Sequence, residues 1–326
     1  MASNADGSVL AAGALPGPLL VSRDSGATWT AGAGLPNASW ISIDISASGT
    51  AMVAVSYAGS MYRSTDSGQN WTQIDASFNT GGLNYESVSI ADDGLHIVAV
   101  DQAITGVANS GSVYVSDNGG TTWTVATGYP AGGFWRAIDS SATGQVVVAA
   151  DHNGGTFSSN DYGHTFTPLA VTVNGTGVQD GWYRLALSRD GTTVALAGNQ
   201  QYGKGGSGTG GAAASTGIYV GRNTAGTWSW TQGSTVAGNY GAVTMSADGR
   251  IIGASLYAPS VAGGAPGQVL LSNDHGASFT QLTTPASTTN NWRSLAVNGL
   301  GTKLLLGEGD FATGSAGQLY LSSGTP

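Results

Sequence analysis

The chain has no cysteine in its 326 residues, which excludes disulfides, zinc–thiolate sites and thiol nucleophiles and leaves stability to packing and hydrogen bonding. It is also poor in charge. Asp, Glu, Lys and Arg together make up 9% of the residues, too few to cover the outer faces of amphipathic helices, so short strands and turns are the expected material. The Lys and Arg residues, 10 in all, are scattered singly against a net charge of −9, which argues against nucleic acid or an anionic membrane surface as partner. No stretch approaches the ~18 consecutive apolar residues of a membrane span. The opening Met-Ala-Ser-Asn-Ala-Asp-Gly has neither the basic nor the apolar region of a signal peptide. What is abundant is Gly, with 53 copies, alongside 9 Trp and 12 Tyr, and a chain so rich in aromatics has a core to bury. Low charge, an acidic balance and much Gly, Ser and Thr point to an extracellular or cell-surface location.

Internal repetition dominates the rest. The phrase Ser-x-Asp-x-Gly-x-x-Trp/Phe runs from Ser22 to Trp29, from Ser64 to Trp71, from Ser116 to Trp123 with Asn118 in the Asp place, from Ser159 to Phe166, and from Ser272 to Phe279. A degraded version lies near Asn223 to Trp230. Its residue types suit a turn between antiparallel strands: Asp or Asn accepts backbone N–H bonds, Gly supplies permissive dihedrals, and the aromatic anchors the outgoing strand. A second phrase precedes each box, an aromatic followed by alternating apolar and small residues and then a Gly-containing turn. It starts at Trp40, Tyr85, Trp135, Trp182, Tyr240 and Trp292, six residues before Ser46, Ala91, Ser141, Ser188, Ser246 and Asn298. Alternation of that length split by Gly turns is the mark of strands.

These phrases resemble the Asp-box, the bacterial neuraminidase repeat of sialidase-like β-propellers. Each unit then holds four strands, which makes one blade. The expected fold is all-β, a single seven-bladed β-propeller over 1–326, with blades near 1–37, 38–82, 83–132, 133–179, 180–237, 238–289 and 290–326. The first unit lacks most of its inner strand and the last stops before an outer strand, so ring closure is left open. The resemblance implies that box residues are structural and that ligands bind on the opposite face. Long connections expected there, Asp101 to Ser112, Asn199 to Gly217, Tyr257 to Gly267 and Glu308 to Gly317, fit that implication. A resemblance to the photosystem-assembly propellers is limited to the repeat, without their basic patch.

Three groups of residues are candidates for ligand contact. The six inner-strand aromatics would ring a channel mouth and stack on sugar rings, or, as their regularity favours, pack between blades. Second-strand ends align as Ala14, Ser56, Asp101, Asp151, Gly198, Leu256 and Glu308, so Asp101, Asp151 and Glu308, with Asp310 nearby, are a candidate acidic patch for Ca²⁺ or sugar hydroxyls, or else solvated surface carboxylates. Arg136 and Arg293 share one repeat position and Arg184 sits one residue later, where side chains of a strand alternate in direction. Enzyme readings rank low. The sialidase Phe/Tyr-Arg-Ile-Pro phrase is absent, and Glu86 and Glu308, the two glutamates, lack a nucleophile-activating context. A glycosidase would need a facing pair such as Asp101 with Asp151 or Asp151 with Glu308. His96, His152, His164 and His275 have no metal-ligand spacing, and neither a nucleophile elbow nor a P-loop occurs. The expected function is therefore a non-catalytic binding module that recognises glycans through the loop face, with no cofactor unless Ca²⁺ serves. The alternatives are a protein-partner or adhesive scaffold and, behind it, a glycoside hydrolase or sialidase.

Overall fold

The computed structural model describes residues 1–79, 82–104, 107, 110–153, 155–178, 180–198, 217–257, 267–284, 291–309 and 318–322. The fold is a seven-bladed β-propeller of antiparallel blades, with no helix among the described residues. Backbone contacts group into two compact units: Met1–Asp151 with Thr156–Leu169, which holds blades one to four, and His152–Gly155 with Ala170–Pro326, which holds blades five to seven. In each sheet the strands follow chain order. Blade two is typical, with an inner strand Trp40–Ile45, second strand Met52–Ser56, third strand Met61–Ser64 and outer strand Thr72–Gln73. Blade one begins with an inner strand of two residues, Ala2–Ser3. Blade seven has three strands among the described residues, ending at Leu319–Leu321.

Burial follows from position within the blade. Second strands such as Met52–Ser56 are buried along their whole length, in this case because blades one and three cover the two faces, and they read as continuous apolar runs. The two-residue outer strands are exposed. The core consists of layers between successive blades of one unit, for example Val98, Val100, Val113 and Val115 of blade three against Trp135, Ile138, Val147 and Ala149 of blade four. Each fully buried aliphatic side chain in such a layer is worth about 1.5–3 kcal/mol.

Two hydrogen-bond devices fix the turns. In the boxes the Ser hydroxyl donates to the Asp or Asn carboxyl or amide oxygen and accepts from the Gly N–H: Ser64 Oγ donates to Asp66 at 2.7 Å and accepts from Gly68 N at 2.9 Å. The same pair of bonds occurs at Ser22, Ser116, Ser159 and Ser272. Gly is required there, since Gly68 has φ +76° and a Cβ would stand 2.8 Å from Val21. In the turns between first and second strands, the side-chain oxygen of Asn4, Ser46, Ser141, Ser188, Ser246 or Asn298 accepts the N–H five residues on. Blade five departs from the expected degraded box. Its third and outer strands, Ile218–Thr224 and Thr227–Ser234, join through Ala225 and Gly226, both at positive φ, and Asn223 Oδ1 accepts from Gly226 N at 2.9 Å. This is a two-residue hairpin turn of the primed kind, which matches strand twist without any box.

Candidate functional site

The inner-strand aromatics are core residues. Trp40 is 5% exposed and Tyr85, Trp135, Trp182, Tyr240 and Trp292 are 0% exposed, so their ring faces are closed to a sugar and stacking on them is corrected in favour of packing. Five of the six meet an aromatic of the third strand of their own blade, Tyr62, Tyr114, Phe157, Tyr219 or Tyr320, edge-on at 5.4–6.2 Å between centroids. Four of the six rings use their polar atom internally: Trp40 Nε1 donates to Gly17 O, Trp135 Nε1 to Gly111 O, Tyr85 Oη to Asp75 and Tyr240 Oη to Val236 O.

Each aromatic pairs across its sheet with the aligned second-strand end: Trp40 with Ser56, Tyr85 with Asp101, Trp135 with Asp151, Trp182 with Gly198, Tyr240 with Leu256 and Trp292 with Glu308. The register then slips by one residue in all six blades, leaving Ile41, Glu86, Arg136, Tyr183, Gly241 and Arg293 as bulge residues. A bulge re-aims a side chain that strict alternation would direct along the sheet normal. In the first unit this brings the bulge residues of blades three and four together, with Arg136 Nη1 2.9 Å from Glu86 Oε1. Gln102 Nε2 donates to the same Glu86 oxygen at 2.5 Å. The pair is recessed, Glu86 being 7% and Arg136 15% exposed. Gln102 bridges by backbone to Phe134, whose ring is 45% exposed. Tyr57, just past the end of the second strand of blade two, is equally exposed. The site on the loop face of the first unit is thus an exposed Phe134 beside a recessed ion pair.

The other sequence candidates lie elsewhere or act otherwise. Asp101 and Asp151 are buried rather than facing solvent as a patch. Asp101 Oδ1 accepts from Ser112 N at 2.9 Å and Asp151 Oδ2 from Phe134 N at 3.1 Å, so both tie loop backbone to the sheet. Burial pushes the Asp101 carboxyl up to about 7, against the pull of the Ser112 and Gly111 N–H groups and the Tyr114 hydroxyl. Glu308 is a half-buried residue of the second unit, and Asp310 falls outside the described residues, as do most of the connections 199–217, 257–267 and 308–317. The three Arg are each engaged within their own unit: Arg136 is held by Glu86, Arg184 Nε donates to Gly241 O at 2.6 Å, and the Arg293 guanidinium lies 3.6 Å over the Tyr257 ring. Among the described residues no group of three or more His, Asp or Glu is arranged to hold a metal ion. Among the same residues no helix is long and apolar enough to cross a membrane. Sequence reasoning missed Glu86, Phe134 and Tyr57. The first was visible as an opposite charge in the column that holds Arg136; the other two lie one residue outside the repeat positions.

No family model matches the chain, and no curated protein matches it by sequence. Asp-box kinship therefore stays a resemblance carried by the boxes. Solved structures share the fold. YCF48 bound to D1 peptide superposes with a TM-score of 0.59 at 14% identity, over 93% of this chain and 88% of that one. The β-propeller domain of Swd1 from Myceliophthora thermophila gives 0.64 at 12%, over 93% and 90%. An ancestral GH74 enzyme gives 0.65 at 14% identity over 96% of this chain, which spans only 44% of the enzyme. What these likenesses establish is that the chain is a β-propeller.

Proposed function

We propose that this is a non-catalytic binding propeller that takes a peptide or a segment of a partner protein on the loop face of its first unit, at Phe134 and the Glu86–Arg136 pair. The observation that carries the reading is an exposed ring next to recessed charges. An apolar anchor beside a desolvated Arg is the usual make-up of a protein-binding hot spot. YCF48, a propeller of the same fold, has been solved with a peptide bound. The non-catalytic half of the reading rests on the carboxylates: Glu86 is engaged by Arg136 and Gln102, and Asp101 and Asp151 hold backbone N–H groups. A glycosidase needs two carboxyl groups facing each other across room for a sugar. Glycan recognition, expected from the repeat, now depends on the exposed rings of Tyr57 and Phe134 and is the competing reading. An extracellular or cell-surface location belongs to the same proposal, on compositional grounds.

The test is selection of a displayed random-peptide library on the immobilised protein, alongside Phe134→Ser and Arg136→Gln variants and a glycan array with and without Ca²⁺. Peptides enriched by the wild type are expected to lose at least about tenfold in affinity on Phe134→Ser, about 1.4 kcal/mol, with a blank array. Saturable glycan binding retained by Phe134→Ser, or peptides that bind both variants like the wild type, would overturn the reading.

A further inference from the structure

Blade five differs from the others at its outer edge. The outer strands of blades one, two, three, four and six are each two residues long, whereas Thr227–Ser234 of blade five has eight. The difference follows from the turn. Without a box, the hairpin at Ala225 and Gly226 lets residues 227–231 pair in unbroken register with 220–224. On its other side the strand pairs with no further strand among the described residues. A two-residue turn of this kind closes on a hydrogen-bonded pair, here Thr224 with Thr227, and the two kinds of antiparallel pair alternate from there. Trp228 and Trp230, opposite Asn223 and Gly221, therefore hold non-hydrogen-bonded positions in their own hairpin, and their backbone N–H and C=O groups point to the open edge.

Open edges are ordinarily blunted by charge, proline or a bulge. Thr227–Ser234 contains neither a charged residue nor a proline, and its register slip, at Gly233, lies beyond Thr231. Residues 227–231 read Thr-Trp-Ser-Trp-Thr, the same in both directions about Ser229. Two such strands laid antiparallel across a two-fold axis at Ser229 set Thr227 against Thr231, Trp228 against Trp230, and Ser229 against its own copy. The outward backbone groups of Trp228 and Trp230 then exchange the paired bonds of a hydrogen-bonded position, and threonine meets threonine and aromatic meets aromatic, both favourable cross-strand pairs. Trp228 and Trp230 are already stacked at 6.1 Å between centroids, so a second copy extends an existing aromatic row, while Thr227, Ser229 and Thr231 line the exposed face. We propose that the outer strand of blade five is a self-association edge, through which two copies of the chain pair antiparallel about Ser229 and join two blades into one sheet. The contact is isologous and closed, since each copy uses the same edge and leaves none for further growth. It belongs to the second unit and does not rest on the partner site proposed above. Each copy carries a net charge of −9 and the paired strands carry none, so long-range repulsion opposes association and salt screens it.

The experiment is sedimentation velocity on the full chain over a range of concentrations, at low and high salt, with Ser229→Lys and Ser229→Thr variants. A dimer that strengthens with salt is expected. Ser229→Lys sets two like charges face to face on the axis and is expected to weaken it at least about tenfold, whereas Ser229→Thr keeps it. Because the chain has no cysteine, Ser229→Cys supplies a single thiol. Facing residues of a non-hydrogen-bonded pair have Cα atoms about 4.5 Å apart, within disulfide range, so oxidised glutathione is expected to link this variant into a covalent dimer. Thr72→Cys, on the exposed outer strand of blade two, is expected to stay monomeric under the same treatment. A monomer at every concentration, a dimer that Ser229→Lys leaves intact, or crosslinking of Ser229→Cys no faster than that of Thr72→Cys would overturn the pairing. Should Ser229→Lys not fold by circular dichroism, the crosslinking rates decide.

Discussion

Replacing Trp135 by Ala removes a ring that is fully buried between Tyr129 at 5.1 Å and Phe157 at 5.4 Å and whose Nε1 donates to Gly111 O. Truncation of a buried Trp costs about 3–5 kcal/mol, and the Gly111 carbonyl keeps its bond from Gly133 N at 3.1 Å, so the cost is one of lost packing. With a urea slope of about 3 kcal/mol/M, the unfolding midpoint is expected to fall by about 1 M or more. Phe134→Ala, one residue earlier, truncates a side chain that is 45% exposed and is expected to change stability by no more than about 0.5 kcal/mol. Urea unfolding followed by far-ultraviolet circular dichroism compares the two variants, with peptide binding measured on each in native buffer. A Trp135→Ala protein as stable as the wild type but unable to bind would refute the assignment of the inner-strand ring to the core. A Phe134→Ala protein destabilised as much as Trp135→Ala would refute the assignment of Phe134 to the surface.

Ser64→Ala leaves Gly68 N–H without its acceptor in a buried turn, and a loss of about 1–3 kcal/mol is expected by urea unfolding. Hydrogen bonds from Thr28, Asn70 and Ser278 hold Asp24, Asp66 and Asp274 down at about 2. Their folded-state pKa lies below the ordinary 3.8, so the stabilisation is present above about pH 4 and is lost as pH falls through about 2; melting temperatures between those limits are expected to fall less steeply in Asp66→Asn. Glu86→Gln removes the opposite charge beside a largely buried Arg136 and is expected to cost about 2–3 kcal/mol. The double variant Glu86→Gln, Arg136→Gln should recover part of that loss, as a double-mutant cycle would measure.

The regular part of the fold was legible because each feature recurs with a physical reason. The aromatics from Trp40 to Trp292 begin the inner strands, the Ser46-type residues close the following turns, and the aligned second-strand ends turn out to be the cross-strand partners of the aromatics. The boxes could be read as turns because Ser, Asp and Gly each have one job in them. Other features were hidden for equally physical reasons. A one-residue bulge leaves the apolar alternation on both sides intact, so the meeting of Glu86 with Arg136 has no signature in periodicity. Asp101 and Asp151 look like surface carboxylates by residue type, and only the loop backbone folded over them gives them donors. Asn223 and Trp230 preserve the outline of a box, yet Ala225 and Gly226 at positive φ make a shorter hairpin. Phe134 and Trp135 are adjacent aromatics of opposite fate, and the repeat marks only the second.

The binding surface is tested most directly by site-specific photo-crosslinking of a library-selected peptide from p-benzoylphenylalanine placed at position 134, or, as control, at position 95, where exposed Leu95 lies in the turn between the first and second strands of blade three. Crosslinks from position 134, competed by unlabelled peptide and absent from position 95, are the expected result. Crosslinks from position 95 with none from 134 would contradict a partner site on the Phe134 face.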